Sequence, residues 1–187
     1  MSQADSLKNR LLIAMPSLQD PNFSRTVTYI CEHGDHGAMG IVINRPTELR
    51  LADVLQHMQI DGGLGGAGEQ IVYLGGPVEE ERGFVLHSHS PPWDSTLAVN
   101  DNISVTTSRD ILEAMAKGDG PNKTLVALGY AGWGAGQLER EMQENAWLSG
   151  PAESAILFDL PAEERWEAAA RLLGVDVNLL SSEAGHA

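Results

Sequence analysis

The amino-acid sequence predicts a domain of the α+β class, built on a mixed sheet with helices packed outside it. Three observations carry that expectation. Segments with strand character outnumber those with helix character, consecutive strand segments fall in pairs, and the regular strand–helix alternation of a doubly wound parallel sheet fails.

The apolar run Leu11-Leu12-Ile13-Ala14-Met15 stops at Pro16 and reads as a buried strand. Residues 26–31 are β-branched and aromatic. Gly34 and Gly37 separate them from the apolar segment 40–44, so the pair reads as a hairpin. Leu51, Val54, Leu55 and Met58 recur at helical spacing and predict a helix with one apolar stripe. The glycine-rich stretch 62–68 reads as a surface loop, since it lacks the Gly-Lys-Ser/Thr ending of a phosphate loop. Strands resume at 71–74 and 83–87. The two prolines of 90–94 demand a loop, and 103–106 is again a strand. A helix is expected over 109–117, with Ser108 as N-cap and Gly118 just past its end. There follow an apolar strand at 123–130, a helix at 136–148, a short strand at 155–158 and a last helix from Pro161 to Gly174. One domain is expected over residues 1–187, with frayed ends at 1–6 and 177–187.

Composition sets the outer bounds. A chain of 187 residues can bury enough core to fold without a disulfide or a metal. Its single cysteine, Cys31, rules out a disulfide framework. The start Met1-Ser2-Gln3-Ala4-Asp5-Ser6 lacks the basic-then-apolar plan of an export signal, and no apolar run has the length of a membrane span, so a soluble cytoplasmic protein is expected. A formal charge of −14 repels phosphate backbones and anionic lipid, so neither nucleic acid nor membrane is expected as a direct partner. The acidic run Glu79-Glu80-Glu81 reads as a solvated turn.

Several ordered segments together resemble the YqgE/AlgH family of bacterial proteins, whose biochemical role is not established. They include Leu12-Ile13-Ala14-Met15-Pro16, Cys31-Glu32-His33, Asn44-Arg45-Pro46, Leu74-Gly75-Gly76-Pro77-Val78 and Arg82-Gly83-Phe84-Val85-Leu86-His87. Leu128-Gly129-Tyr130-Ala131-Gly132-Trp133 and Asn145-Ala146-Trp147-Leu148 extend the likeness over nearly the whole chain. The resemblance implies a bifurcated sheet curled toward a pseudo-barrel with flanking helices. It also implies a loose association with transcriptional regulation, including that of alginate production.

The residues themselves offer several constellations. Cys31, His33 and His36, with His87 and His89 elsewhere, are zinc-ligand types. Cys31 and His33 share a face of a regular strand while His36 falls in the turn beyond, so no metal site is expected. No Gly-x-Ser-x-Gly elbow occurs and Cys31 sits mid-strand, so no catalytic residue and no cofactor are assigned. The glycines 129, 132, 134 and 136 running into a helix suggest an anion site, but no cation precedes Arg140 to complete it. Gly75-Gly76-Pro77 reads as a turn or bulge whose backbone groups, alternatively, border a ligand. Asn44-Arg45-Pro46 exits its strand, with Arg45 expected against a carboxylate. Arg45 and Arg82 are the best candidates for holding an anionic group. On the wheel of the helix expected at 136–148, Glu141 and Asn145 fall on the buried stripe, so both are expected to be largely buried and partnered. Binding, with a protein or a small molecule as partner, is expected rather than catalysis. The rival is a small-molecule pocket, open to catalysis, formed around His33, Arg45, Gly75, Gly76 and His87.

Overall fold

In a computed structural model the structure describes residues 6–174 except 17, 19, 22 and 63–67. Most of the 62–68 loop and the end at 177–187 therefore lie outside the described residues. Ten strands and four α-helices follow one another as β1 (Arg10–Ala14), β2 (Val27–Gly34), β3 (Gly37–Val42), β4 (Pro46–Arg50), α1 (Leu51–His57), β5 (Ile71–Leu74), β6 (Val78–Ser88) and β7 (Thr96–Ala98). They continue with β8 (Ile103–Thr106), α2 (Arg109–Ala116), β9 (Thr124–Gly134), α3 (Gln137–Gln143), β10 (Trp147–Pro151), a π-helical turn (Ala155–Asp159) and α4 (Ala162–Arg171).

The strands form one mixed, bifurcated sheet in the order β10-β1-β2-β3-β9-β6-β8-β7, with β5 and β4 as a side branch. The sheet curls into a half-barrel, as the α+β expectation required. Its branch point lies on β9. One edge of β9 takes β3 antiparallel along Ala131–Gly134 and β5 parallel along Val126–Leu128, while the other edge takes β6. The chain must therefore pass from β5 to β6 across β9, and it does so through Gly75-Gly76-Pro77. A Cβ at Gly75 would stand 2.4 Å from the Gly129 carbonyl oxygen, and one at Gly76 only 2.1 Å from the Tyr130 carbonyl carbon. Gly129 itself has φ +78, a left-handed conformation that favours glycine. The Gly-Gly-Pro segment is thus a backbone crossing, held by Gly75 N–H donating to Leu128 O at 2.7 Å.

Both faces of the central strands are covered, which explains their unbroken apolar runs. Leu11 and Ile13 point into the half-barrel against Trp166 and Ala169 of α4, whereas Leu12 and Ala14 point outward to Trp133, Leu138 and Trp147. Val85 and Val126 turn to a third cluster beneath α1 and α2, with Leu51, Leu55, Ile111 and Met115. Each such side chain contributes about 1.5–3 kcal/mol by leaving water.

Three expected elements are corrected. The helix expected at 136–148 ends at Gln143, the chain reverses through Asn145 at φ +60, and Trp147–Pro151 pairs with β1 as a strand. Asparagine tolerates that left-handed conformation, and pairing with β1 outweighs the local helical pattern. The segment 155–158, expected as a strand, lies in the π-helical turn, with Ile156 and Leu157 buried. Period alone does not separate a buried turn from a strand in so short an apolar run. The strand expected to stop at Tyr130 continues to Gly134, so Gly129, Gly132 and Gly134 belong to β9 rather than to an anion-binding loop. Strands β4 and β7 were not expected. Among the described residues no helix is long and apolar enough to cross a membrane.

Candidate functional site

Three of the polar residues singled out from the sequence, His33, Asn44 and Arg45, serve the protein's own backbone at separate places. Asn44 accepts from Val27 N–H and donates to Arg25 O, both at 2.9 Å. Arg45 forms no salt bridge among the described residues, although a carboxylate partner was expected of it; it donates to Pro21 O at 2.7 Å and Ser24 O at 2.9 Å, fixing the turn before β2. His33 Nδ1 accepts from Leu7 N–H at 2.8 Å, so the neutral ring carries its proton on Nε2, which faces Glu139 Oε2 at 3.3 Å. Cys31 and His33 do not share a face as expected. A β-bulge between Ile30 and Glu32 breaks the alternation, sending Cys31 into the half-barrel and His33 toward α3. Burial pushes the Cys31 thiol far above its ordinary pKa, away from the thiolate a nucleophile or metal ligand needs.

His87 is fully buried. Its Nδ1 donates to Ser88 O at 2.9 Å, and its Nε2 accepts from Thr106 Oγ1 at 2.7 Å. Thr106 Oγ1 in turn meets Thr96 Oγ1 at 2.8 Å. The chain closes on itself, and burial lowers the histidine pKa, holding the ring neutral. Glu141 is half-buried and accepts from Trp133 Nε1 at 3.0 Å and from Trp147 Nε1 and Gln137 Nε2 at 2.9 Å. The carboxylate therefore clasps β9, β10 and α3 together. Asn145, expected to be buried beside it, is exposed, because the helix has already ended and the residue forms the turn.

Of the expected residues, Arg82 borders a groove. Between Val78 and Gly83, strand β6 advances five residues while its partner β9 advances only two, from Tyr130 to Leu128. The four residues Glu79-Glu80-Glu81-Arg82, opposite Gly129 alone, bulge outward, with Glu79 at φ +48. A groove of about 980 Å³ opens on one side of this bulge. Val54 and Met58, on and just past α1, and Leu128 of β9 line it half-buried, with Val85, Val126 and Leu112 of α2 buried beneath them. Arg109 fixes the spacing of the two helices, since it opens α2 and donates to Met58 O at the end of α1 at 2.7 Å. The floor is not filled: a Cβ at Gly83 would meet nothing within 4 Å, and Leu49 beside the groove is 41% exposed. A shallower depression of about 870 Å³ lies on the other side of the bulge, against Met39, Phe84 and Tyr130.

Sequence reasoning missed this groove. The stripe of α1 was legible, but nothing in it marked Val54 and Met58 as only half-buried, and the three glutamates read as a solvated turn. Nothing in the linear sequence signals that β6 carries surplus residues against β9.

These features define an α+β half-barrel whose conspicuous polar residues brace its own turns and whose open feature is a groove walled by two helices. The chain belongs to the AlgH-like family, whose model matches residues 11–178. It is 58% identical to a UPF0301 protein of Thioalkalivibrio sulfidiphilus over 187 residues, covering 100% of both chains. A UPF0301 protein of Hahella chejuensis is 55% identical, with 100% of this chain and 99% of the relative covered. The solution structure of the AlgH protein from Pseudomonas aeruginosa superposes with a TM-score of 0.81 at 53% identity, covering 100% of this chain and 99% of that one. A protein from Corynebacterium diphtheriae shares the fold alone, at 19% identity and a TM-score of 0.74 over 97% of this chain and 94% of that one.

Proposed function

We propose that this protein acts by binding, with the groove between α1 and α2 as its docking site and a regulatory consequence exerted through the partner it engages. One observation supports this above the others. The groove leaves Val54, Met58 and Leu128 half-buried and Leu49 exposed around an unfilled space, whereas His33, His87, Asn44, Arg45 and Glu141 are committed to internal hydrogen bonds at dispersed positions. An indirect influence on transcription, such as that of alginate genes, fits a protein of charge −14 better than contact with DNA does.

A photo-crosslinking residue placed at Val54 in the producing bacterium tests the reading, with Glu163 on α4 as the control position. A discrete adduct from position 54 and none from 163 is the expected result. Equal labelling from the two positions, or none from 54, refutes docking in the groove. In an alginate-producing host lacking its own copy, Val54→Trp should remove the effect on alginate-gene transcription that the unaltered protein restores.

A further inference from the structure

We infer that the α1–α2 groove takes a cationic amphipathic helix from a partner protein, with its apolar stripe on the groove floor and its lysines or arginines against the Glu80–Glu81 bulge. The inference rests on the groove being the docking site, and adds what docks there.

Shape selects the helix. The groove floor is a sheet face flanked by two helices, and the strip over Leu128 and Gly83 is where a third helix of the same layer would lie. Its accessible apolar contacts are the half-buried Val54, Met58 and Leu128, from α1, its C-terminal end and β9, with Leu112 of α2 buried behind them. An i, i+3, i+4, i+7 stripe meets such a trough better than an extended strand does.

Charge selects the sign. Two arginines border the groove, and both have a nearby glutamate: Arg82 lies 3.7 Å from Glu79, and Arg109 lies 3.5 Å from Glu113. Glu80, Glu81 and Asp53 line the same groove and have no cationic partner among the described residues. Asp53 instead accepts Arg50 N–H at 2.8 Å as part of the α1 cap. The uncompensated charge at the rim is therefore negative, and the field of a −14 chain reinforces it. The crossing at Gly75, Gly76 and Gly129 fixes the bulge in place: a Cβ on Gly129 would stand 3.1 Å from the Glu80 Cα, so the glutamate backbone rests directly on the sheet. Charges presented from a fixed backbone lose less entropy on pairing than charges on a free loop.

The test uses the full chain and three labelled peptides of about 18 residues, long enough for five helical turns. All carry leucine at the same helical spacing, with lysine, glutamine or glutamate at every other position. The lysine peptide should bind, and bind about tenfold more tightly than the glutamine peptide, with the advantage shrinking as salt rises. Glu80→Lys with Glu81→Lys should weaken the lysine peptide by about tenfold, whereas Glu163→Lys with Glu164→Lys on α4, an equal change in net charge, should leave it within about threefold. Equal losses from the two double variants, or preference for the glutamate peptide, overturn the inference. If lysine and glutamine peptides bind alike and Val54→Trp displaces both, the charge inference fails while groove docking stands. If Val54→Trp displaces neither, groove docking fails as well.

Discussion

Replacing Glu141 by alanine removes the acceptor of three donors at once. The two indole N–H groups belong to Trp133 and Trp147, which are 6% and 3% exposed, and Glu141 is the hydrogen-bond partner of both. A hydrogen bond to a charged acceptor is worth about 1.5–3 kcal/mol, and a buried donor left unpaired costs about 1–3 kcal/mol. Glu141 is itself only half-buried, so water can reach part of the vacated space and the three losses do not add in full. The expected cost at pH 7 is about 3 kcal/mol, with the donor of Gln137 contributing least because it lies nearest the exposed side of α3. Glu141→Gln keeps an acceptor oxygen and the shape but loses the charge, and should recover at least half of the loss. Urea unfolding followed by tryptophan fluorescence reads both, because the reporting indoles are the affected groups. The phenylalanine at 23, with centroids 6.0 Å from Trp133 and 5.6 Å from Trp147, completes the aromatic cluster whose packing the fluorescence reports. A Glu141→Ala midpoint within about 0.5 kcal/mol of the parent would refute the clasp as a stabilising element.

Two further outcomes follow from the same structure. His87 has its pKa lowered by burial below the ordinary 6.5, so the unfolded chain binds a proton that the folded one refuses. Stability from this residue is complete above about pH 6.5 and falls on acidification through the window below it, by at most about 1.4 kcal/mol per pH unit; His87→Gln should flatten that window in urea titrations, and an unchanged slope would contradict a neutral buried ring. Gly76→Ala places a methyl 2.1 Å from the Tyr130 carbonyl carbon and should cost about 3 kcal/mol or more. Gly83→Ala, with nothing within 4 Å, should be neutral or stabilising by up to about 1 kcal/mol in thermal melts, and equal effects at the two sites would refute the crossing geometry.

The sheet was legible where strands make local pairs. The β2–β3 hairpin, β1, β8, α1, α2 and α4 all fall close to their expected bounds, because period, capping and turn glycines act within a few residues. Distant partners decided the rest. Residues 147–151 became a strand because β1 offers an open edge 137 positions earlier, as in the pairing of Arg10 with Pro151 to Ala14 with Trp147. A partner for Glu141 was expected, but it is half-buried rather than largely buried, and its partners are side chains, two indoles from separate strands and a glutamine. The groove was not legible at all, because it depends on β6 bulging against β9 and on the gap between α1 and α2.

A branched, curled sheet explains why so many conspicuous residues proved structural. Where strands diverge, backbone carbonyls lose their ladder partners, and a buried carbonyl without a donor is costly. Arginine supplies several donors in a fixed fork, and this chain spends its arginines on carbonyls. Arg45 holds Pro21 O and Ser24 O, and Arg109 holds Met58 O. Arg165, 3% exposed and stacked 5.1 Å over Tyr73, donates to Ile43 O and Leu160 O and forms no salt bridge among the described residues. Burial lowers its pKa, the opposite of what a neighbouring acid would do. Twelve basic side chains against twenty-six acidic ones would ordinarily leave every arginine ion-paired. Composition alone leaves at least fourteen acids without a cation, and committing Arg45 and Arg165 to carbonyls outside the ladders widens that excess. Glu80 and Glu81 at the groove rim have no cationic partner among the described residues. The carbonyls left outside the ladders therefore add to an acidic excess that composition already sets, and the rim of the α1–α2 groove carries part of it.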